Sequence, residues 1–228
     1  MKISIIIPVF NEVNTIGKVI EAVEKVKFSG SREIIVVDDG SIDGTRQFLE
    51  KIDDPNLKKV FHSRNQGKGA AIRSALPQVS GDIVIIQDAD LEYYPDEFPQ
   101  LIEPILNKKA DIVFGSRFIG THRCFLFTHY IGNKTINLAA NILYNTILTD
   151  FMTGHKAFKA ETLKNISIRS NRFGFEAEIT GMMFRKNFKV YEVPISYSGR
   201  DYCEGKKIKW TDFFVCLWWL VYTKFRRL

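Results

Sequence analysis

The chain opens on a cadence that leaves little freedom of fold: a short Val/Ile-rich run, a polar loop, then a segment of helical periodicity, over and over. Strand-like runs fall at Ile3–Val9, Glu33–Val37, Lys58–His62, Ile83–Ile86 and Asp111–Phe114. Between them lie helix-like segments near Val13–Lys27, Asp43–Ile52, Lys68–Leu76 and Asp96–Asn107. Strands that are apolar almost throughout are buried on both faces, as in a parallel sheet. Strict βαβα order therefore predicts an α/β fold: a Rossmann-like, doubly wound, mostly parallel sheet, helices on both faces, right-handed crossovers. At 228 residues, with no linker-like stretch and no internal repeat, one large domain is expected.

After Phe118 the pattern changes. Phe125–Asp150 reads as an aromatic, Asn-rich helical region, followed by a short strand near His155–Phe158 and a helix over Phe175–Lys186. A strand at Val190–Tyr197 leads into a polar, basic loop, Ser198–Lys209. The run Phe213–Tyr222 is ten apolar residues followed by Lys224, Arg226 and Arg227. That is half of what a helix needs to cross a bilayer, roughly 20 residues. Two readings stand for it. One is a buried terminal helix; the other is an interfacial helix with Trp218, Trp219 and Tyr222 at headgroup depth and the terminal cations on anionic lipid.

Composition excludes several classes. The net charge of +6 favours anionic partners, and seven Lys/Arg against three Asp/Glu lie from Arg200 onward. No basic stretch interleaves with aromatic residues, which argues against nucleic acid. Cys124, Cys203 and Cys216 are too few and too irregular for a disulfide framework or a zinc site, and suit a reducing compartment. His62, His122, His129 and His155 show no ligand spacing. The apolar start is short, stopped by Pro8, and is expected to be a strand rather than a secretory leader.

The chemistry lies in four loops. Pro8-Val-Phe-Asn-Glu12 follows the first strand and Val36-Val-Asp-Asp-Gly-Ser41 the second. Arg64-Asn-Gln-Gly-Lys-Gly69 follows the third, offering Lys68 beside a helix N-terminus, a natural phosphate position. Asp88-Ala-Asp90 follows the fourth. In open α/β sheets ligands bind beyond the carboxyl ends of the strands. Two carboxylates about 6 Å apart there repel by roughly 3 kcal/mol at an effective dielectric near 20. A hard divalent cation, which commonly also holds substrate phosphates, removes that cost. Taken singly each loop reads as a polar turn; four on one sheet edge describe a nucleotide-diphosphate crevice. No Gly-x-Gly-x-x-Gly or Gly-x-x-x-x-Gly-Lys-Ser/Thr is present, so dinucleotide and P-loop sites lose ground.

Ile-Ile-Pro-Val-Phe-Asn-Glu, Val-Val-Asp-Asp-Gly-Ser-Ile-Asp-Gly-Thr, Asn-Gln-Gly-Lys-Gly and Asp-Ala-Asp together resemble the inverting family 2 glycosyltransferases of GT-A fold. Phe114-Gly-Ser-Arg117, Asp150-Phe-Met-Thr-Gly154, Phe173-Gly-Phe-Glu-Ala-Glu-Ile179 and Glu192-Val-Pro-Ile-Ser-Tyr197, with Arg200 and Glu204-Gly-Lys-Lys-Ile208, narrow the resemblance. They are similar to polyprenyl-phosphate (dolichol-phosphate) mannosyl- and glucosyltransferases. The resemblance implies a nucleotide-sugar-binding half at 1–117, an acceptor half at 118–210 and a membrane-proximal amphipathic helix at 211–228.

It also implies roles. Asp88, Asp90 and Glu92 would hold Mg²⁺ or Mn²⁺ on the donor diphosphate, with Glu92 where relatives often carry Gln. Pro8, Phe10, Glu12, Asp38 and Asp39 would line the nucleotide pocket, with Lys68 and Gly69 in the phosphate loop. Arg117, Arg200 and Lys206 match the basic residues near an acceptor phosphate, and Lys207 competes with Lys206 for that contact. A lipid phosphate is already an oxyanion and needs positioning by cations more than deprotonation. Asp150 reads equally as a base or orienter on the acceptor side and as a turn cap. Glu176 and Glu178 read as helix-surface carboxylates. The implied partners are a nucleotide-sugar donor, a polyprenyl or dolichyl phosphate, and the cytoplasmic face of a membrane, bound peripherally through a membrane-anchor partner, a homo-oligomer or the chain's own basic end. A sugar-hydroxyl acceptor and a nucleotidyltransferase are the alternatives.

Overall fold

The computed structural model describes residues 1–123, 127–172, 174–199 and 211–227. The first half follows the expected alternation: β1 (Lys2–Val9), α1 (Ile16–Lys25), β2 (Ser31–Asp38), α2 (Thr45–Glu50), β3 (Leu57–Phe61), α3 (Lys68–Ala75), β4 (Ile83–Ile86), α4 (Phe98–Leu106) and β5 (Ile112–Ser116). Then come α5 (Phe127–Tyr144), β6 (Lys156–Lys159), α6 (Ala160–Lys164), α7 (Gly174–Arg185), β7 (Val190–Pro194) and α8 (Thr211–Phe225). The seven strands lie in the order β3-β2-β1-β4-β6-β5-β7. β1 pairs in parallel with β2 and β4, so that Ile5 stands between Ile34 and Ile85.

Side chains alternate across the sheet with period two. Ile3, Ile5 and Ile7 of β1 join Ile34, Val36, Ile83 and Ile85 under α1, α2 and α4. Ile6 joins Ile35, Val37, Val84, Ile86 and Phe114 against α3, α5, α6, α7 and α8. Two apolar layers thus bury both faces, which is why the strands read as unbroken apolar runs.

β6 is the exception to parallel order: it runs antiparallel to both neighbours, Lys156 lying opposite Ile86 and Phe114. The reversal has a consequence for the site. The residues leading into β6, Met152–His155, arrive at the edge where β4 and β5 end.

Several boundaries differ from the sequence reading for local reasons. α1 starts at Ile16 rather than Val13, because Asn11 takes a left-handed φ of 53° and the Glu12 carbonyl accepts from Thr15 N and Ile16 N at 3.1 and 2.9 Å. α2 starts at Thr45, where Asp43 Oδ1 accepts from Thr45 N at 3.0 Å. α5 stops at Tyr144, not Asp150. Asn145 turns left-handed at φ 51°, and Asn137 and Asn141 donate to the Leu148 carbonyl, folding the chain back on the helix.

α7 is buried from Gly174 through Met183. Glu176 and Glu178 are therefore interior side chains, which corrects their reading as helix-surface carboxylates. α8 packs on the fold as the buried-helix reading expects, but along one face only. Cys216, Leu220 and Thr223 pack inward, while Phe214, Val215, Trp218, Val221 and Phe225 stay exposed. Trp218 stacks on Tyr222 at 4.8 Å. Arg226, expected to face lipid, turns inward to Glu178 instead. Among the described residues no helix is long and apolar enough to cross a membrane.

Candidate active site

The carboxyl ends of β1, β2, β4 and β5, together with α5 and α8, enclose a cavity of about 870 Å³. Of the residues singled out from sequence, Pro8, Phe10, Glu12, Asp39 and Lys68 line one side, and Asp88, Asp90, Glu92 and Arg117 line its centre. The far wall is apolar, with Ile136 and Met152 facing Phe213, Phe214 and Cys216. Asp38, Gly69 and Asp150 shape the cavity from behind rather than lining it. Arg200 and Lys206, like Lys207, lie outside the described residues.

The loops after β2 and β3 are tied to one another. Asp38 is wholly buried, accepts from Ser41 N at 3.1 Å and sits beside Arg46, holding the turn after β2. Asp39 accepts from Gln66 N and Gly67 N at 2.9 and 2.6 Å and meets His62 Nδ1 at 2.6 Å, fixing the loop after β3. Gly67 takes φ 101°, and a Cβ there would lie 2.3 Å from the Asn171 carbonyl. At Gly69 a Cβ would meet the Ser170 carbonyl at 2.3 Å. These glycines are required by close packing of α3 on the segment before α7.

Lys68 lies at the centre of the charge arrangement. Its ammonium is 2.7 Å from Asp88 Oδ1 and 3.1 Å from Glu176 Oε1. Burial opposes its charge, but Asp88 and Glu176 outweigh that and hold its pKa well above the ordinary lysine value. Glu176 Oε2 is buried with no hydrogen-bond partner among the described residues. Beneath it, Lys156 is buried, donates to the Thr153 carbonyl and lies 4.7 Å over the Phe114 ring. Burial pushes Lys156 down to about 8, with Glu176 resisting. His155, edge-on to Tyr93 and Phe98, is pushed by burial to about 4 and stays neutral.

The loop after β4 is strained into shape. Leu91 adopts φ 61°, a left-handed conformation costly for a branched side chain. The turn brings Glu92 N back to Asp90 Oδ1 at 3.2 Å. Glu92 Oε2 accepts from Tyr197 OH at 2.6 Å. Asp88 itself fits only because residue 154 is glycine: a Cβ there would lie 2.0 Å from Asp88 Oδ2. Gly154 N donates to Tyr93 OH at 2.9 Å.

Asp88, Asp90 and Glu92 present hard carboxylate oxygens of the type that Mg²⁺ and Mn²⁺ bind. Among the described residues, no three Asp, Glu, His or Cys side chains converge tightly enough to enclose a metal ion unaided. The donor chemistry nevertheless fits a divalent cation, since Asp88 already holds a cation, the Lys68 ammonium.

After β5, Arg117 Nε and Nη2 donate to Asp150 at 2.7 and 2.8 Å, and Arg117 N donates at 3.1 Å. Despite burial, Asp150 raises the Arg117 pKa and keeps the guanidinium charged. The guanidinium stacks 5.1 Å from the Tyr197 ring. Asp150 is placed in turn by Glu192 of β7, which accepts from Asp150 N at 3.0 Å and from Thr149 N at 2.9 Å. Sequence reasoning missed Tyr93, Lys156 and the inward turn of Glu176. Only the apolar flanks of Glu176 and Glu178, Phe175, Ala177 and Ile179, signalled burial.

The family described as glycosyl transferase family 2 matches residues 4–167. The chain is 28% identical to the undecaprenyl-phosphate mannosyltransferase of Micrococcus luteus over 222 residues, covering 90% of this chain and 87% of that protein. It is 28% identical to the polyprenol monophosphomannose synthase of Mycolicibacterium smegmatis, covering 94% and 85%. With the dolichol-phosphate mannosyltransferase of Pyrococcus furiosus it shares 29% identity over 90% of this chain, spanning 59% of that longer protein. Among solved structures, glucosyl-3-phosphoglycerate synthase from Mycobacterium tuberculosis, in complex with Mn²⁺, UDP and phosphoglyceric acid, superposes with a TM-score of 0.75. The match covers 97% of this chain and 76% of that one at 20% identity, and identifies the GT-A fold. A GT-A sheet, a carboxylate-lined crevice at its carboxyl edge and a family match over most of the chain lead to one conclusion: this protein belongs to glycosyl transferase family 2.

Proposed function

We propose that this glycosyltransferase moves a hexose, with inversion, from a nucleotide sugar of the GDP-mannose or UDP-glucose type to a polyprenyl or dolichyl phosphate. The observation that carries the reading is the make-up of one cavity. Carboxylates and Lys68 occupy one side, Arg117 stands at the centre, and apolar residues of α5 and α8 form the far wall. A polar donor and an amphipathic acceptor need that combination. The names of the relatives, which act on undecaprenyl, polyprenol and dolichol phosphates, support the same acceptor class.

In this reading Asp88, Asp90 and Glu92 would hold Mg²⁺ or Mn²⁺. When bound, the metal offsets the charge that develops on the leaving nucleoside diphosphate. Lys68 shares that task from the start of α3, where backbone N–H groups also favour phosphate. Pro8, Phe10, Glu12 and Asp39 border the nucleoside, with Asp38 fixing the turn beneath. Arg117 binds and orients the acceptor phosphate, joined by Arg200 and Lys206. The acceptor oxygen is already anionic, so we assign Asp150 to orienting Arg117 rather than to taking a proton. Both its oxygens are committed to the guanidinium.

The exposed apolar residues of α5 and α8, two helices in contact with each other, support peripheral attachment at the cytoplasmic face of a membrane, alone or with an anchoring partner or a second copy. Incubation with radiolabelled GDP-mannose or UDP-glucose, Mn²⁺ and a short polyprenyl phosphate tests the function. Labelled lipid is expected. Label appearing only in a sugar-hydroxyl product, or release of pyrophosphate rather than nucleoside diphosphate, would overturn it.

A further inference from the structure

The contact between Lys68 and Asp88 bears on how the site fills, given the metal-dependent reading above, on which this inference rests. Three observations define it. The ammonium lies 2.7 Å from Asp88 Oδ1 and 3.1 Å from Glu176 Oε1, inside the cavity that both carboxylates line. Lys68 is anchored at its backbone, because Asp39 holds Gly67 N at 2.6 Å and Gly69 is packed on the Ser170 carbonyl. Asp88 has little room to turn, because its Oδ2 lies against Gly154.

A metal on Asp88 would bind about 2.1 Å from a carboxylate oxygen. With the ammonium 2.7 Å from that same carboxylate, the two cations would stand only a few ångströms apart, on side chains that are mostly buried. One must leave. Asp88 is fixed, whereas the lysine has a flexible four-carbon stem and a second partner, Glu176, to keep it paired. Glu176 also has a buried oxygen, Oε2, with no hydrogen-bond partner among the described residues, over which the ammonium can shift without losing its countercharge.

We propose that Lys68 is a resident counter-ion that closes the site to a metal ion alone, and that it releases Asp88 when a diphosphate arrives with the metal to receive the ammonium. Metal and nucleoside diphosphate then bind with positive coupling. The coupling has a structural origin in Lys68 beyond the direct bonds between metal and phosphate. Because coupling of binding free energies is reciprocal, the metal tightens the nucleotide as much as the nucleotide tightens the metal.

The test reads Mn²⁺ binding directly, by the electron paramagnetic resonance of the free ion, with and without GDP or UDP. For the wild type, Mn²⁺ alone binds weakly, and the better diphosphate tightens it by roughly 5- to 150-fold, the usual range for coupled sites. Lys68→Met, which keeps the length of the side chain and removes its charge, is expected to bind Mn²⁺ alone about tenfold more tightly and to lose part of the coupling. Thermal melting verifies that the variant is folded. Should it not fold, Lys68→Gln, which keeps a polar head between the carboxylates, serves the same comparison. A folded variant that binds Mn²⁺ alone no more tightly than wild type, with the coupling intact, overturns the proposal and leaves the metal-dependent function standing. Failure of the wild type to bind Mn²⁺ even with both diphosphates tested would overturn that function and this proposal together.

Discussion

Arg117 and Asp150 meet side-on, two guanidinium nitrogens on two carboxylate oxygens at 2.7 and 2.8 Å, and the same carboxylate also accepts from the arginine's own backbone N–H. Asp150 thus fixes both the tip and the root of the side chain that we assign to the acceptor phosphate. An orienter and a base predict different kinetics. Asp150→Asn should lower kcat/KM by about 10- to 100-fold, as loosened positioning does, mainly through the acceptor KM. The pH profile should keep its shape. Loss of an ionisation from that profile would instead identify Asp150 as the base.

Asp90→Asn removes a carboxylate that we assign to the metal while keeping its size. Transfer should fall by at least about a hundredfold, the scale on which one aimed electrostatic group contributes. Chelation of the wild type should do the same, with activity returning on addition of Mn²⁺ or Mg²⁺. Near-full activity in the variant would remove Asp90 from the site.

Arg226 and Glu178 form a buried pair at 2.5 Å between α8 and α7, and Glu178 also accepts from Arg169 N and Ser170 N. Removing one partner of such a pair leaves an uncompensated charge, at a cost of about 3–5 kcal/mol. Arg226→Met should therefore lower Tm by roughly 10 °C, since 1 kcal/mol corresponds to about 2–4 °C at this size. Differential scanning calorimetry measures it. A variant as stable as the wild type would contradict the role.

Membrane attachment should depend on apolar surface from both helices. Trp218→Ser on α8 and Ile142→Ser on α5 each delete an exposed hydrophobe and should weaken liposome binding by about tenfold. Arg227, exposed, should contribute through charge, so binding should fall with salt. Flotation that is indifferent to these variants and to anionic lipid would exclude this attachment.

Glu33 governs part of the acid response. Burial raises its pKa, but hydrogen bonds from Ser4, Ser80 and Lys58 outweigh that and hold it well below the ordinary value. A carboxylate with a depressed folded pKa contributes stability that is fully present above its unfolded pKa, near 4.3. That stability is lost as pH falls further, toward the folded value. Urea unfolding between pH 7 and pH 3 should show a steeper loss for the wild type than for Glu33→Gln, and the variant should be less stable at pH 7. Parallel curves would remove Glu33 from this role.

The first half of the fold was legible in the sequence because its signals are local. Strands buried on both faces must be apolar throughout, and the residues after each strand, such as Glu12, Asp39 and Asp88, fall on one sheet edge by topology alone. The rest depended on partners distant in the chain. Glu178 looked like a surface carboxylate because its partner, Arg226, lies 48 positions away. Lys68 read as a phosphate ligand, while its present partners come from the loop after β4 and from α7. Nothing in Lys156-Ala-Phe-Lys159 announced a reversed strand, since one buried on both faces reads alike in either direction. α5 ended early at Asn145, where three asparagines redirect the chain through bonds that apolar periodicity does not encode.

The reversed strand also makes part of the enzyme replaceable. Because β6 enters the sheet where β5 leaves it, with Lys156 beside Phe114, residues 117–155 form an excursion whose two ends are already neighbours. Lengthening such a loop costs only about 0.6 kcal/mol for each doubling. The part of the cavity wall that this excursion supplies, which we assign with α8 to the acceptor, can therefore be enlarged, trimmed or exchanged while the strands that we assign to the donor keep their register. On that assignment, what is transferred and what receives it are free to diverge independently.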